Sequence, residues 1–292
     1  MKSIKTLALM LVALVGMTAC SNDDDEQKKF IIDPVEGLSG YIFVTSGYFT
    51  DSYYGNDATV SVTGNKNQYN ISFHDPQWGD VTFENVELDE AHGTVSGSGK
   101  LSMNYRGKPG TYDATLSGDM KNLIITMPEV MKGKANGEKG TIISFYPGEA
   151  PLACELEGSY SGTNNITVGR VTYPADITYK VTANPDGSIN LSLPEYQVEG
   201  TPMGDLTLGA YTLKNIPYDK EKGAFYRLYG EGVKEHLKAV KDGNTTIDDE
   251  YDLDEEGFIQ VEKTENGIKV TNSFQPIPMP FAIQAVFETA AK

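Results

Sequence analysis

The chain has 292 residues and a formal net charge of -17 at pH 7, and both of its halves are acidic. Such a chain presents no cationic surface that would displace counterions from a polyanion, which argues against nucleic acid as a partner. Its 30 glycines, 17 tyrosines and 14 prolines, with few long apolar runs beyond the N-terminus, favour an all-β protein rich in turns.

The N-terminal segment has the organisation of a secretion signal. Lys2 and Lys5 form a basic start, and residues 7–15 form an apolar core that is too short to span a bilayer. Small residues precede Cys20 in a pattern that resembles the lipobox of bacterial lipoproteins. This resemblance implies that residues 1–19 are a signal peptide and that Cys20 becomes the acylated first residue of the mature protein, which anchors it to a membrane. The alternative is an ordinary secreted protein with an unmodified cysteine.

Residues 20–36 are predicted to be an acidic, disordered tether, because Asp23, Asp24, Asp25 and Glu26 follow one another. This acidic run resembles the signal that directs lipoproteins of Bacteroidetes to the cell surface. The resemblance implies an outer-membrane protein that faces the cell exterior. The alternative is a plain solvated linker with no targeting role.

A first β-domain is predicted over residues 37–148. Short segments there alternate apolar and polar residues with the period of two that half-buried strands show, and Gly, Asn or Asp separates them. About eight such strands in about 110 residues is typical of a meander or a barrel. The clearest segments are 58–63, 69–73, 81–88, 97–105, 112–116, 123–127 and 140–145.

A related pattern occurs a second time, which predicts a duplicated β unit. Residues 69–73 alternate apolar positions with Asn and Ser and are followed by a Gly-Asp pair at Gly79; residues 189–193 do the same before a Gly-Asp pair at Gly204. The spacing from the Asn to the Gly is 9 residues in the first copy and 14 in the second. A surface loop is expected to absorb this difference at little entropic cost. The second copy extends over residues 153–292.

One segment of the second copy departs from the strand pattern. Val233, Leu237 and Val240 recur at helical spacing, and Gly243 follows at a position suited to end a helix. The sequence therefore predicts a short helix over residues 231–241. This helix is expected to cover one end of a barrel or, alternatively, to dock a partner.

Three features of the second copy carry a family resemblance. They are the opening Leu-Glu-Gly-Ser-Tyr-Ser-Gly at 156–162, the Gly-Asp-Leu-Thr at 204–207 and a closing strand of aromatic and aliphatic residues at 281–288. The chain resembles the calycin-like, lipocalin-related domains of Bacteroidetes lipoproteins over nearly all of its mature length, in two copies. The resemblance implies two tandem antiparallel calycin-like β-barrels, at 37–148 and 153–292, with the short helix in the second. Barrels of this kind hold one small apolar ligand or are filled by their own side chains.

The sequence contains no recognisable catalytic motif. It has no Gly-x-Ser-x-Gly elbow and no glycine-rich phosphate loop before a helix. His74, His92 and His236 show no metal-ligand spacing, and each is expected to be a surface or packed histidine. Cys154 is expected to be a small buried apolar residue, with a reactive thiol as the alternative.

One acidic loop is a candidate calcium site. Asp252, Asp254 and Glu256 supply carboxylate oxygens at alternate positions and Gly257 follows, which matches the front of an EF-hand-like loop. The match ends at position twelve, where Lys263 stands in place of the bidentate Glu. The alternative is an acidic, solvated hairpin. No other cofactor is expected.

These patterns predict a lipid-anchored surface protein that acts as a non-catalytic binding or assembly module. Its partner would be a small apolar ligand inside a barrel or another protein at the cell surface. A structural or adhesive module with filled barrels is the first alternative, and an exposed patch around Tyr48, Phe49, Tyr53 and Tyr54 would serve it. A hydrolase with a carboxylate pair is the second, although the many Asp and Glu residues single out no pair.

Overall fold

The computed structural model describes residues 29–289 except 66, 67, 106, 231, 278, 280 and 281. The chain divides into two units, the first ending at Ala150 and the second beginning at Pro151. Both units consist almost entirely of β-strands, so the all-β prediction is confirmed. The predicted acylation site, Cys20, lies outside the described residues.

The first unit is a closed antiparallel barrel of eight strands in sequence order, with the last strand paired to the first. The number and order of strands agree with the meander that the alternating segments predicted. The strands are β1 (Val35–Ser46), β2 (Phe49–Asn65), β3 (Gln68–Asp75), β4 (Gly79–Asp89), β5 (Thr94–Tyr105), β6 (Lys108–Asp119), β7 (Asn122–Met127) and β8 (Thr141–Pro147). A short 3-10 helix, Lys134–Asn136, lies in the loop before β8.

Side-chain alternation explains why these segments form a barrel with a filled interior. In β3, Tyr69, Ile71 and Phe73 are buried while the residues between them are more exposed. Phe83 of β4 and Phe145 of β8 are fully buried from other sides of the barrel. All of these side chains belong to one continuous hydrophobic core, so the interior of the first barrel is filled by its own residues.

Side chains also close both ends of the first barrel. At the end where β1 begins, the backbone N–H of Phe30 donates to the carbonyl of Glu90, and Ile32 is buried although the sequence pattern assigned it to the tether. At the opposite end, Trp78 is buried in the turn between β3 and β4. The carboxylate of Asp75 holds that turn by accepting two backbone N–H groups, each at 2.8 Å.

The second unit contains one short helix and thirteen strands in two sheets. Its elements are α1 (Leu152–Glu155), β9 (Gly158–Val168), β10 (Val171–Ala183), β11 (Ile189–Leu193), β12 (Tyr196–Thr201), β13 (Gly204–Leu208), β14 (Tyr211–Ile216), β15 (Tyr218–Asp219), β16 (Ala224–Leu228), β17 (Lys234–Lys241), β18 (Asn244–Asp252), β19 (Phe258–Thr264), β20 (Gly267–Phe274) and β21 (Ile283–Thr289). Nine strands form one sheet in the order β14-β11-β10-β9-β21-β20-β19-β16-β15, and four form a second in the order β12-β13-β17-β18.

The two sheets follow the path of one eight-stranded barrel whose middle strands are interrupted. Each strand of the smaller sheet continues a strand of the larger one along the chain: β12 follows β11, β13 precedes β14, β17 follows β16 and β18 precedes β19. If each such pair counts as one long strand, and the two-residue β15 that continues β14 is counted with it, the unit has eight strands in sequence order, with β21 paired to β9 as β8 is to β1. On one level β13 pairs with β17, whereas on the other level β14 and β16 are not paired in the described chain. We call this gap between β14 and β16 the seam.

The predicted helix over residues 231–241 is wrong, because most of this segment is strand β17. Glu235, Leu237 and Ala239 are buried and alternate with more exposed residues, which is the period of a strand. The three-residue spacing of Leu237 and Val240 suggested a helix, but pairing with β13 on one side and β18 on the other fixes the extended conformation. The helix of the second unit is instead α1, and no helix of the described residues is long and apolar enough to cross a membrane.

The Gly-Asp strand starts of both copies are confirmed, but the five additional residues of the second copy do not form a surface loop. Gly79 and Gly204 have positive φ angles of 91° and 97° and begin β4 and β13. In the first copy β4 pairs directly with β3, whereas in the second β13 pairs with β12 and β14 pairs with β11. The additional residues therefore lengthen the strand and accompany its interruption at residues 194 and 195.

Replacement of Phe83 by Ala is expected to lower the free energy of unfolding of the first unit by about 3–5 kcal/mol, because a fully buried ring leaves a cavity in a filled core. Denaturant titration followed by the fluorescence of Trp78, the one tryptophan of the chain, measures this loss. Glu84→Ala, at the next and exposed position of β4, is the matched control and should change the free energy by less than about 0.5 kcal/mol. Equal, small losses in the two variants would contradict a filled interior.

Candidate functional site

The interior of the second barrel contains a cluster of polar side chains. We call it the Glu235 cluster, and its members are Glu235, Tyr179, Tyr196, Tyr211, Tyr229 and Asn272. In its charged form Glu235 is one of the causes that raise the pKa of all four tyrosines. Five members are buried, and Tyr211 is partly buried.

The strand interruptions position this cluster. Tyr196 begins β12, Tyr211 begins β14, and Tyr229 follows the last residue of β16. Glu235 is the second residue of β17 and lies on the same buried face as Leu237. The polar side chains therefore collect at the level where backbone pairing around the barrel is broken.

A chain of hydrogen bonds runs through the cluster. The hydroxyl of Tyr229 donates to Oδ1 of Asn272 at 2.7 Å, so it accepts from the hydroxyl of Tyr211, which also lies 2.7 Å away. Tyr211 belongs to β14 and Asn272 to β20, which are not neighbouring strands. The chain leads from the partly exposed ring of Tyr211 to the buried amide of Asn272.

Glu235 is the buried acid of the cluster. It is 2% exposed, and its Oε2 atom has no hydrogen-bond partner. Burial raises the pKa of the carboxyl to about 8, because the charged form loses its hydration and no cation of the described residues offsets that loss. Burial is also the largest cause of the raised pKa of each tyrosine in the cluster. At neutral pH the cluster therefore consists mainly of uncharged hydroxyl and carboxylic acid groups.

Asn164 contributes further unpartnered atoms to the same interior. It is 1% exposed and follows the inward series of β9 with Ile166 and Val168, yet neither its Oδ1 nor its Nδ2 has a partner. A buried polar group without a hydrogen bond costs about 1–3 kcal/mol. Together with Oε2 of Glu235, these atoms would be satisfied by a bound molecule or by ordered water.

The seam is bridged mainly by side chains. The guanidinium of Arg227 on β16 donates to the carbonyl of Lys214 on β14. It also donates to the carbonyls of Leu228 and Tyr229 on its own side. The hydroxyl pair of Tyr211 and Tyr229 is the second bridge. At one end of the seam the backbone joins the two sides as a hairpin, because β15 follows β14 and pairs with β16, and the N–H of Tyr226 donates to the carbonyl of Pro217. Along β14 itself few hydrogen bonds cross the seam, so this stretch is expected to open more easily than the fully paired strands.

The predicted calcium ligands do not come together. Asp252 ends β18 and lies 3.7 Å from Nζ of Lys234. Oδ1 of Asp254 accepts the backbone N–H of Glu256 at 2.8 Å, and the N–H of Gly257 donates to the carbonyl of Asp254, so the segment is a reverse turn between β18 and β19. Across the described ranges, no three Asp, Glu, His or Cys side chains are grouped so that they could hold a metal ion.

The three histidines lie at the surface, as predicted, and outside the Glu235 cluster. Each ring contacts one carboxylate: His74 with Asp80 at 2.5 Å, His92 with Asp89 at 2.7 Å and His236 with Asp248 at 2.9 Å. These contacts are single ion pairs on exposed side chains, which stabilise proteins little.

Cys154 has the position that the sequence predicted. It lies in α1 and is buried, with a free thiol. Burial, followed by the negative charges of Glu157 and Glu155, raises the pKa of this thiol to about 12. The thiol therefore stays protonated at neutral pH and is a poor nucleophile.

Two of the four residues considered for an exposed aromatic patch on the first barrel lie at the surface. Tyr48, in the turn after β1, is 62% exposed and Tyr53 is 39% exposed, whereas Phe49 and Tyr54 are partly buried in β2. The hydroxyl of Tyr53 donates to Oε1 of Gln77 at 2.6 Å. Tyr48 and Tyr53 thus remain at the surface, in or near the turn between β1 and β2.

Sequence reasoning missed Glu235, because it assigned the segment to a helix. The signal that could have identified it is the alternation of Glu235, Leu237 and Ala239 with charged or polar neighbours. In a strand, this pattern places one carboxyl group on the apolar face, which is uncommon unless the acid has a partner or a function.

Comparisons with known proteins support the fold. Residues 156–290 match the protein family described as "Calycin-like beta-barrel domain". A crystal structure from Bacteroides fragilis, named "putative outer membrane protein", is 21% identical with a TM-score of 0.53, and the alignment covers 87% of this chain and 96% of that chain. At this identity the likeness shows the fold alone.

Two further comparisons add no functional information. A protein of unknown function from the DUF3598 family of Nostoc punctiforme is 10% identical, and the alignment covers 86% of this chain and 94% of that chain. Its TM-score of 0.20 is too low to support an argument. No curated protein matches the chain significantly.

Replacement of Glu235 by Gln is expected to remove a pH dependence from the stability of the second unit. The folded state keeps the Glu235 proton up to a pKa of about 8, whereas the unfolded chain releases it near the ordinary value of 4.5. The free energy of unfolding should therefore fall as pH rises between these values, by on the order of a few kcal/mol in full. The Gln variant should be more stable than the natural protein at pH 9 and similar to it at pH 5.

Thermal unfolding at several values between pH 5 and pH 9 measures this difference. Glu265→Gln, at an exposed turn position of the same unit, is the matched control and should follow the natural protein. Parallel curves for the natural protein and Glu235→Gln would show that this carboxyl does not hold its proton in the folded state.

Proposed function

We propose that the protein is a lipid-anchored module of the outer membrane that faces the cell exterior and binds a small molecule inside its second barrel, without catalysis. The observation that carries the proposal is the set of unpartnered polar atoms on inward-facing strand positions of that barrel, Oε2 of Glu235 and both amide atoms of Asn164. The described part of the first unit also has three unpartnered polar atoms, on Trp78, Asn122 and Asn136, but these residues lie in a turn, at the start of a strand and in the short 3-10 helix. Proteins rarely bury such atoms unless a ligand, an ion or a water molecule completes their hydrogen bonds.

The two barrels offer a ligand different interiors. The first is filled by apolar side chains and closed by Ile32 and Trp78. The second combines apolar walls, including Phe274 and Phe287, with the Glu235 cluster and the weakly joined seam. Apolar walls with a few well-placed polar groups are the usual lining of small-molecule sites. We therefore expect a ligand with an apolar body and one polar end.

The N-terminal pattern supports the membrane location. Cys20 follows a segment with the features of a lipoprotein signal, and acyl chains on this residue would hold the protein to a bilayer. The acidic residues 23–26 support the outward orientation. The similar structure from Bacteroides fragilis carries the name of an outer membrane protein, and that name is consistent with the proposed location.

The structural alternative is supported for the first barrel only. Its filled interior leaves the outer surface, with the exposed ring of Tyr48, as the part that can contact a partner. The hydrolase alternative has less support. Asp75 and Glu235, the buried carboxylic acids of the described residues, lie in different units, and Asp75 is engaged in a turn.

Native mass spectrometry of protein released gently from its own cells tests ligand binding. We expect a reproducible additional mass on the folded protein that is too small for a protein and is lost on denaturation. Asn164→Leu should reduce this mass, because it removes two polar atoms that face the ligand, whereas Asn165→Ala, at the next and exposed position of β9, should retain it. A folded natural protein with no additional mass would contradict the proposal.

The membrane anchor is tested by replacing each cysteine in turn. Cys20→Ser should move the protein from the membrane fraction to the soluble fraction, because it removes the proposed acylation site. Cys154→Ser, at the other cysteine of the chain, should leave the protein in the membrane fraction. Protease added to intact cells should degrade the natural protein, and protection until lysis would contradict the outward orientation.

A further inference from the structure

The polar end of the ligand can be assigned a charge, and this assignment rests on the proposed function. We infer that the second barrel binds a small organic cation, an ammonium group on an apolar body, whose charge pairs with the Glu235 carboxylate among the four tyrosines. Two observations lead to this inference. Oε2 of Glu235 is buried without a partner, and the groups around it include no base.

The ionisable groups that interact with Glu235 come from four successive strands of the barrel. They are Tyr179 from β10, Tyr196 from β12, Tyr211 from β14 and Tyr229 from the break after β16. No Lys, Arg or His side chain of the described residues acts on the carboxyl. The interior thus holds one acid and no countercharge. A bound cation would supply the countercharge and so remove the main cost of ionising a buried acid.

Tyrosine side chains suit a cation in two ways. The faces of aromatic rings attract positive charge, and this attraction is stronger where water is excluded. The hydroxyl oxygens of Tyr179 and Tyr196 can accept hydrogen bonds from an ammonium group. Oδ1 of Asn164, which faces the same interior without a partner, is a further acceptor.

The same groups disfavour an anionic ligand. A carboxylate or phosphate would find neutral hydroxyl donors but no positive side chain, and its charge would further oppose ionisation of Glu235. A neutral ligand would meet a protonated Glu235 and would bind without changing its protonation. The number of protons released on binding therefore distinguishes a cation from the other two classes.

The seam provides the path by which such a ligand would reach Glu235. Tyr211 is a partly exposed residue, and its hydroxyl bonds to Tyr229 inside the barrel. Separating β14 from β16 breaks this bond and the bond from Arg227 to Lys214, while the pairing of β15 with β16 holds the hairpin end of the seam together. A ligand that enters here would reach the cluster at once, because Tyr211 and Tyr229 are members of it.

Isothermal titration calorimetry of the whole protein, from Cys20 onward in detergent, compares three compounds of similar shape: 2-phenylethylamine, 2-phenylethanol and 3-phenylpropionate. At pH 8 the amine should bind at least about tenfold more tightly than the other two, because only it pairs with Glu235. Glu235→Gln should weaken amine binding by at least about tenfold and leave the alcohol unchanged. Glu265→Gln is the matched control and should behave like the natural protein.

Proton counting provides a second, independent readout. At pH 6.5 the amine must displace the Glu235 proton, so titrations in two buffers of different ionisation enthalpy should show release of about one proton per amine bound. Affinity should rise by up to about tenfold per pH unit up to about pH 8. The Gln variant should release none. The ion pair of His236 with Asp248 is exposed and is present in both proteins, so it does not contribute to the difference between them.

The outcomes separate this inference from the proposed function. Preference for the alcohol or the carboxylate, or amine binding that Glu235→Gln leaves unchanged, would overturn the cation and keep a ligand-binding barrel. No binding of the amine at millimolar concentration would also overturn it. If native mass spectrometry then finds a neutral or acidic molecule on the protein, the proposed ligand binding is retained and only the cation is rejected. If it finds no bound molecule, both the cation and the proposed ligand binding are rejected.

Discussion

Closure of a β-sheet into a ring is the constraint on which both barrels depend, because an open sheet leaves rows of unpaired backbone groups at its edges. The first barrel meets this constraint with strand pairing all round, from β1 to β8. The second meets it by pairing β13 with β17 on one level, and on the other with side chains of Arg227 and Tyr211 and the short pairing of β15 with β16. The interruptions that separate these levels also place tyrosines and Glu235 beside each other. The strand interruptions of the second barrel therefore account both for its weakly paired seam and for the polar side chains inside it.

The sequence could predict the first barrel well, because each strand carries its own signal. Residues 69–73 show the alternation that marks a strand, and the same side chains fill the core. The second barrel was harder to predict where its strands are interrupted. Residues 234–241 fit a helix or a strand locally, and partners distant in the chain, β13 and β18, decide between them. The Glu235 cluster could not be predicted, since its members come from separate elements and meet only in the folded barrel.

The two barrels divide two demands that conflict within a single core. Apolar side chains stabilise the first barrel throughout its interior. Buried polar groups without partners, such as Asn164, make the second interior less stable than an apolar one of the same volume. Sites that bind ligands commonly carry this kind of cost, which the rest of the protein must offset. Because the two cores are separate, the second barrel bears this loss of stability without destabilising the first.

The position of Ile32 has a mechanical consequence if Cys20 carries the proposed lipid anchor. Eight residues lie between Cys20 and Lys29, so at full extension the first barrel would stay within about 30 Å of the lipid surface. A pull on the anchor would act first on the segment that contains Phe30 and Ile32, which is held by the backbone hydrogen bond to Glu90, by the ion pair of Lys29 with Glu90 and by the buried side chain of Ile32. That segment would detach before the backbone ladders of β1 come under load. Drag on the anchored protein would therefore open one end of the first barrel while its strands remain paired.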